Sequence, residues 1–329
     1  MTDKTNKRLE YVDVAKGLLI AFVFLGHMAK SLNPDGTDEF LSLFTKTRGY
    51  LWTSYYMPAF FVITGFCSNF SKSFKSYLVS NIKRLIVPAI VLVIPISIAE
   101  LLFHKVNFNG FLIQIFITSF WFLRSLFISK IVFYFVYKFA KYDWQRIVVN
   151  LSLFALGLCL YEFVFATDRF NVIHSLLLLP FLELGVLLRR VENNKIYLGS
   201  VLVYCLTVLF FLLAHKTVPS ITYALKIQFV SAIPFLILSS TGSISILWIG
   251  KIIGKSTVFQ TLGKHSLVLY CLHVQFYFYF SRFFLSFTNQ NWLLSAGTLL
   301  LSTSFLLLIC LGASILLNKK PLSVCLGEF

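Results

Sequence analysis

Charge is what this chain has least of: 13% of its 329 residues are charged, about half the ~25% typical of a soluble domain. With 58% hydrophobic residues and a mean hydropathy of +0.81, that shortage excludes a water-soluble domain and indicates an integral membrane protein. Acids are the scarcer sign, 13 against 29 Lys and Arg, and no cluster of them is spaced to hold a metal. The cysteines are Cys67, Cys159, Cys205, Cys271, Cys310 and Cys325. They form no CxxC pair, so neither a disulfide framework nor a structural metal is expected. All but Cys325 sit in apolar runs and read as buried small hydrophobes. There is no GxSxG elbow, no HExxH and no Walker loop. No small-x-small site follows the first apolar run, so no cleavable signal peptide is expected. Neither a periodic repeat nor a long linker divides the chain, and one membrane domain over residues 1–329 is the simplest organisation.

What is present is a series of apolar runs of spanning length. They cover Val14–Ala29, Leu51–Phe70, Leu85–Phe103, Trp121–Phe139, Ile147–Phe165, Val172–Leu188, Ile196–Ala214, Ile227–Ile249, Ser266–Leu285 and Trp292–Leu317. The expected fold is all-α and polytopic, with about ten transmembrane helices. Phe111–Phe120 is apolar but short, either a re-entrant piece or an extension of the fourth span. Ser239-Ser-Thr-Gly-Ser243 interrupts the eighth. With the N-terminus inside, 18 Lys and Arg fall in inner loops and tails and 8 in outer ones. By the positive-inside rule both termini, residues 1–12 and 318–329, are cytoplasmic. The net charge of +16 therefore reflects topology and gives no reason to expect a nucleic-acid partner.

The first run carries Asp13, Lys16 and His27 where a plain anchor would carry leucines. At about 100° per residue, eleven steps return His27 to within about 20° of Lys16. At ~1.5 Å per residue the two lie about 16 Å apart along the axis. Ionisable groups at such depth face a protein interior or a wet cavity, which makes them candidate functional residues. Lys16 alone also fits an interfacial lysine that snorkels to water. In the second run, Pro58 frees a backbone carbonyl, and Thr64-Gly65 leaves a small polar gap. That gap suits either close helix packing or passage of a substrate chain. In the ninth, Ser266, Tyr270 and His273 form a second polar stripe, with His273 read as either structural or functional. Arg124 either snorkels or pairs with Glu100 or Glu162. Glu183 needs a proton or a basic partner, for which Lys130 is a candidate. His104, His174, His215 and His265 read as loop, interface or helix-end residues. An intramembrane imidazole suits proton abstraction from an alcohol, and the inner cations suit a phosphorylated donor.

The ordered motifs resemble the acyltransferase 3 family of membrane O-acyltransferases, with the fucose 4-O-acetylase-like enzymes the nearest branch. They are Asp13-x-x-Lys16-Gly17…Gly26-His27, Met57-Pro58-x-Phe60-Phe61-x-x-Thr64-Gly65-Phe66, Lys83-Arg84-Leu85-x-x-Pro88, Trp121-Phe122-Leu123, Pro180-Phe181-x-x-x-Gly185 and Leu262-Gly263-x-x-Ser266-Leu267-x-x-Tyr270-x-x-His273. Lys16 stands where the family carries arginine, keeping charge but not the bidentate fork, and Thr64 stands where serine is commoner. The hydrolase-like domain appended in some members is not expected. The resemblance implies transfer of an acyl group, acetyl above all, from acyl-CoA to a sugar hydroxyl of a surface polysaccharide or its lipid-linked precursor. It implies a bacterial inner membrane and acetyl-CoA as co-substrate, with no permanently bound cofactor. His27 and Asp13 are the expected catalytic residues, and Lys16, Arg84 and Lys264 the expected CoA contacts. Tyr56, Phe61, Thr64, Trp121, Arg124, Tyr270 and His273 are expected to line the pocket. Expected partners are acyl-CoA, the saccharide acceptor and membrane lipids, with monomer and homo-oligomer both left open. The competing reading is a transporter or flippase for a lipid-linked sugar, which also needs buried polar groups.

Overall fold

A chain in lipid must satisfy its backbone hydrogen bonds internally, and each of the ten apolar runs falls on a helix. The computed structural model describes residues 9–103, 107–113, 120–163, 168, 170–191, 193–221, 229–289, 291–320 and 322–327. The helices are α1 (Glu10–Ser31), α2 (Glu39–Leu51), α3 (Tyr56–Cys67), α4 (Phe74–Asn81), α5 (Val87–Leu102), α6 (Phe108–Ile113), α7 (Trp121–Phe139), α8 (Asp143–Phe163), α9 (Val172–Arg190), α10 (Asn194–Leu213), α11 (Phe229–Ile253), α12 (Thr257–Lys264), α13 (Ser266–Phe284) and α14 (Trp292–Leu317). A π-helical turn at Ile82–Ile86 joins α4 to α5. Among the described residues, seven stretches are long and apolar enough to cross a membrane: α1, the α4–α5 rod, α8, α9, α10, α11 and α14. The other three expected spans fall on α3, which has 12 residues, and on α7 and α13, which carry more polar groups. His104 and most of Phe111–Phe120 lie outside the described residues; α6 ends at Ile113.

Helices α1 and α9 are the inner ones, while α10 and α14 turn rows of Leu and Phe outward. The cysteines follow the same division. All six are free thiols, but Cys67, Cys159 and Cys205 are exposed, against the expectation that they are core residues. An outward face in lipid is as apolar as a core, so composition alone does not separate the two.

Backbone contacts bring the inner helices together. A Cβ on Gly17 would collide with the Phe259 carbonyl, and one on Gly263 with the Asp13 carbonyl. Helices α1 and α12 thus touch main chain to main chain. Gly65 and Gly185 do the same for α3 and α9, against the Leu182 and Val62 carbonyls. Close packing is therefore the observed use of the Thr64-Gly65 gap.

The second expected span departs from the sequence reading. Helix there begins at Glu39, far before Leu51, and is split into α2 and α3 by a break at Trp52–Tyr55. Pro58 has no N–H for the Ser54 carbonyl, which instead accepts the Ser239 hydroxyl at 2.7 Å. The Ser239–Ser243 stretch is consequently no interruption. Helix α11 runs through it, with Thr241 and Ser245 bonding back to the carbonyls four residues earlier, and it docks the break in its neighbour.

Glu183 pairs with Arg146 on α8 and not with Lys130. Arg146 sets its Nε 3.2 Å from both Glu183 oxygens, and both side chains are buried. Arg146 also bonds Asp143, which holds Arg190 in turn. Replacing Glu183 with alanine leaves a buried guanidinium that half-exposed Asp143 compensates only in part. The expected cost is about 3–5 kcal/mol, read as a lower thermal midpoint in detergent.

Candidate active site

The two polar stripes meet near the C-terminal end of α1. His27 packs on α13 with its ring centroid 5.0 Å from that of His273 and 5.1 Å from that of Tyr277. It retains some exposure, while His273 is 1% exposed. The His273 Nδ1 lies 2.7 Å from the Tyr270 carbonyl oxygen. Its Nε2 is buried with no protein hydrogen-bond partner among the described residues. The Tyr270 ring centroid is 5.2 Å from that of Phe122 at the start of α7, and its hydroxyl bonds the Phe122 backbone. Tyr56, at the start of α3, and Arg124, on α7, act electrostatically on the same hydroxyl. Four of the expected lining residues, Tyr56, Arg124, Tyr270 and His273, therefore converge with His27.

Two members of the cluster were not expected. Tyr277 continues the α13 stripe four residues beyond His273, a spacing that was legible. By sequence Arg48 lies between the first two apolar runs, one of the eight outer cations. It stands instead on α2, with a guanidinium nitrogen 2.6 Å from where a Gly26 Cβ would be, acting electrostatically on His27 and Tyr56. The one cue was Asp38 before Glu39, an N-cap signature. The Asp38 carboxylate caps the Leu41 amide at 2.8 Å and also accepts from the Asn289 amide and the Ser295 hydroxyl. Burial pushes the Asp38 carboxyl up, but these donors outweigh it and hold it below its ordinary value. Asp38 so pins α2 to the α13–α14 connection, and Trp52 stacks on Phe22 at 4.8 Å to fix the other end of α2.

The remaining expected residues lie elsewhere. Phe61 is fully buried edge-on to Phe122, at 5.6 Å and 79°, and supports the cluster from behind. Trp121 flanks it, 5.1 Å from His174, whose Nδ1 is 2.6 Å from an Asp168 oxygen. His174 is thus a buried, paired residue, although helix-end position alone had been read for it. Thr64 is half-buried, about two turns beyond Tyr56 toward the other end of the bundle. There Lys16 sits 3.5 Å from buried Asp13, and both act on the Cys67 thiol together with Lys130 and Arg189. Asp13 is fourteen residues from His27, or ~21 Å along the helix, so the two make no dyad. Arg84 is exposed, and with Lys83, Ser76, Ser80 and the C-terminal segment at Leu326 and Gly327 it lines a cavity of about 480 Å³. Lys264 is exposed beside Gly263. No group of three or more metal-ligating side chains occurs among the described residues.

The arrangement is bipolar. A cation-lined basic end is separated by about 16 Å of α1 from an imidazole and tyrosine cluster that holds Arg48 and Arg124. The family model described as an acyltransferase domain matches residues 9–318. No curated protein and no solved structure matches the chain.

Proposed function

The chain belongs to the acyltransferase 3 family, and from that premise we propose that it is an O-acyltransferase moving an acetyl group from acetyl-CoA to a sugar hydroxyl of a surface polysaccharide or its lipid-linked precursor. The observation that carries this reading is the position of His27. Its ring packs against His273 and Tyr277 on α13, and it lies on the same face of α1 as Lys16 at the basic end. In this reading the basic end faces the cytoplasm of a bacterial inner membrane. Lys16, Lys130 and Arg189, with Arg84 and Lys264 further out, attract the phosphates of CoA and spare them dehydration. The uncharged arm of the donor then spans the distance to His27.

His27 removes the proton from the acceptor hydroxyl as that oxygen attacks the thioester carbonyl. The C–O bond forms, the C–S bond breaks, and the CoA thiolate leaves and takes up the proton from His27. The products are the sugar ester and free CoA. His273 packs the ring of His27 into place, and Asp13 orders Lys16 at the donor end. A flippase would call for a second broken helix at a matching position, whereas α11 runs unbroken past Gly242.

Membranes containing the protein are expected to release free thiol from acetyl-CoA when polysaccharide precursor is added, and to place acetyl ester on that precursor. Thiol release that does not respond to the precursor would remove the enzyme reading and favour transport.

A further inference from the structure

Among the described residues Arg48 has no counter-ion. Its side chain makes no hydrogen bond or ion pair with the described residues, and its Nε is buried without a partner. Among the described residues it interacts electrostatically with Tyr56 and His27 and with no carboxylate. The nearest acids along the chain are committed elsewhere. Asp38 caps α2, and Glu39 receives the Trp292 indole at 3.4 Å. Lys30 and Arg124 add positive charge to the same cluster. A guanidinium kept half-buried beside a histidine is costly unless something negative joins it.

Resting on the acyltransferase reading, we propose that Arg48 is an acceptor-binding residue that selects saccharides carrying an anionic group, a carboxylate or a phosphoryl, next to the acetylated hydroxyl. The phosphates of CoA cannot be that anion. They belong with Lys16, about 16 Å down α1 from His27, while Arg48 lies level with Gly26. The oxyanion of the tetrahedral intermediate and the departing CoA thiolate are the other negative charges in the reaction, and both are transient. A permanent cation with no protein partner matches a permanent charge on the bound acceptor. The planar fork of arginine suits the two oxygens of a carboxylate or a phosphoryl group.

The test compares acetyl transfer from acetyl-CoA to three probes: methyl β-D-glucoside, methyl β-D-glucuronide and glucose 1-phosphate. The wild-type protein is expected to favour one of the charged probes over the neutral one, and which one distinguishes the carboxylate from the phosphoryl source. In R48Q the ratio of kcat/KM for that probe over the neutral one should fall by about 10- to 100-fold, the range of a charge-assisted hydrogen bond, mainly through KM. R48K should restore part of the preference. Phenylglyoxal labelling of Arg48 in the wild-type protein should be slowed by the charged probe and not by the glucoside. An unchanged ratio in R48Q, an equal loss of kcat on all acceptors (the oxyanion outcome), or no shielding of Arg48 would overturn the proposal and leave acyl transfer standing. If no sugar is acetylated at all, the acyltransferase reading falls, and the shielding experiment still decides whether Arg48 meets an anion.

Discussion

Replacing His27 with alanine is expected to lower acyl transfer by about 10²- to 10⁴-fold, the contribution of a positioned general base, while expression and detergent stability stay near wild type. The ring meets two other rings, of His273 and Tyr277, and retains some exposure. Its removal therefore opens space in a polar cluster and breaks no buried network. The measurement is acetyl-CoA-dependent ester formation in purified membranes, normalised to protein, alongside a thermal midpoint. A fully active H27A would dismiss the base, and a protein that failed to accumulate would show His27 to be structural. His27→Gln separates the two further, since it keeps most of the volume and hydrogen bonding but cannot cycle a proton near neutral pH.

The second large effect is on assembly. In Gly263→Ala the new Cβ falls far inside contact distance of the Asp13 carbonyl, and neither partner is a flexible side-chain end that can swing away. Helices α1 and α12 must separate, at a cost of about 3 kcal/mol or more. Asp13 and Lys16 move with α1, so donor use should suffer in whatever fraction still folds. Gly199→Ala and Gly297→Ala supply the control: both glycines are helical with nothing within 4 Å of an added Cβ. Each control should be neutral or gain up to about 1 kcal/mol from helix propensity. Thermal unfolding in one detergent compares the three variants directly. Equal midpoints for all of them would mean that the α1–α12 contact is looser than its geometry.

Much of the architecture was legible because lipid leaves a backbone few options. Trp121–Phe139 and Trp292–Leu317 came out with the helix bounds observed, and the other runs fell on helices as well. The polar stripes were legible too, since helical geometry alone aligns Lys16 with His27 and Ser266 with Tyr270 and His273. Arg48 was hidden for the opposite reason. Glu39–Leu51 holds Glu39, Lys46 and Arg48, and a hydropathy average reads such a segment as a loop. Arg146 was concealed in the same way, as a cation near the start of a span.

The sequence by itself determined that this is a helical membrane protein of the acyltransferase kind, which residues of each helix share a face, and where its basic end lies. Only the tertiary structure decided which faces meet. It set His27 against His273, broke the helix between α2 and α3 and placed Arg48 beside Gly26, and matched Glu183 with Arg146. The physical reason is that lipid screens segments one at a time, by their own apolarity. A polar group inside the bundle is tolerated according to its neighbours, and those neighbours come from other helices.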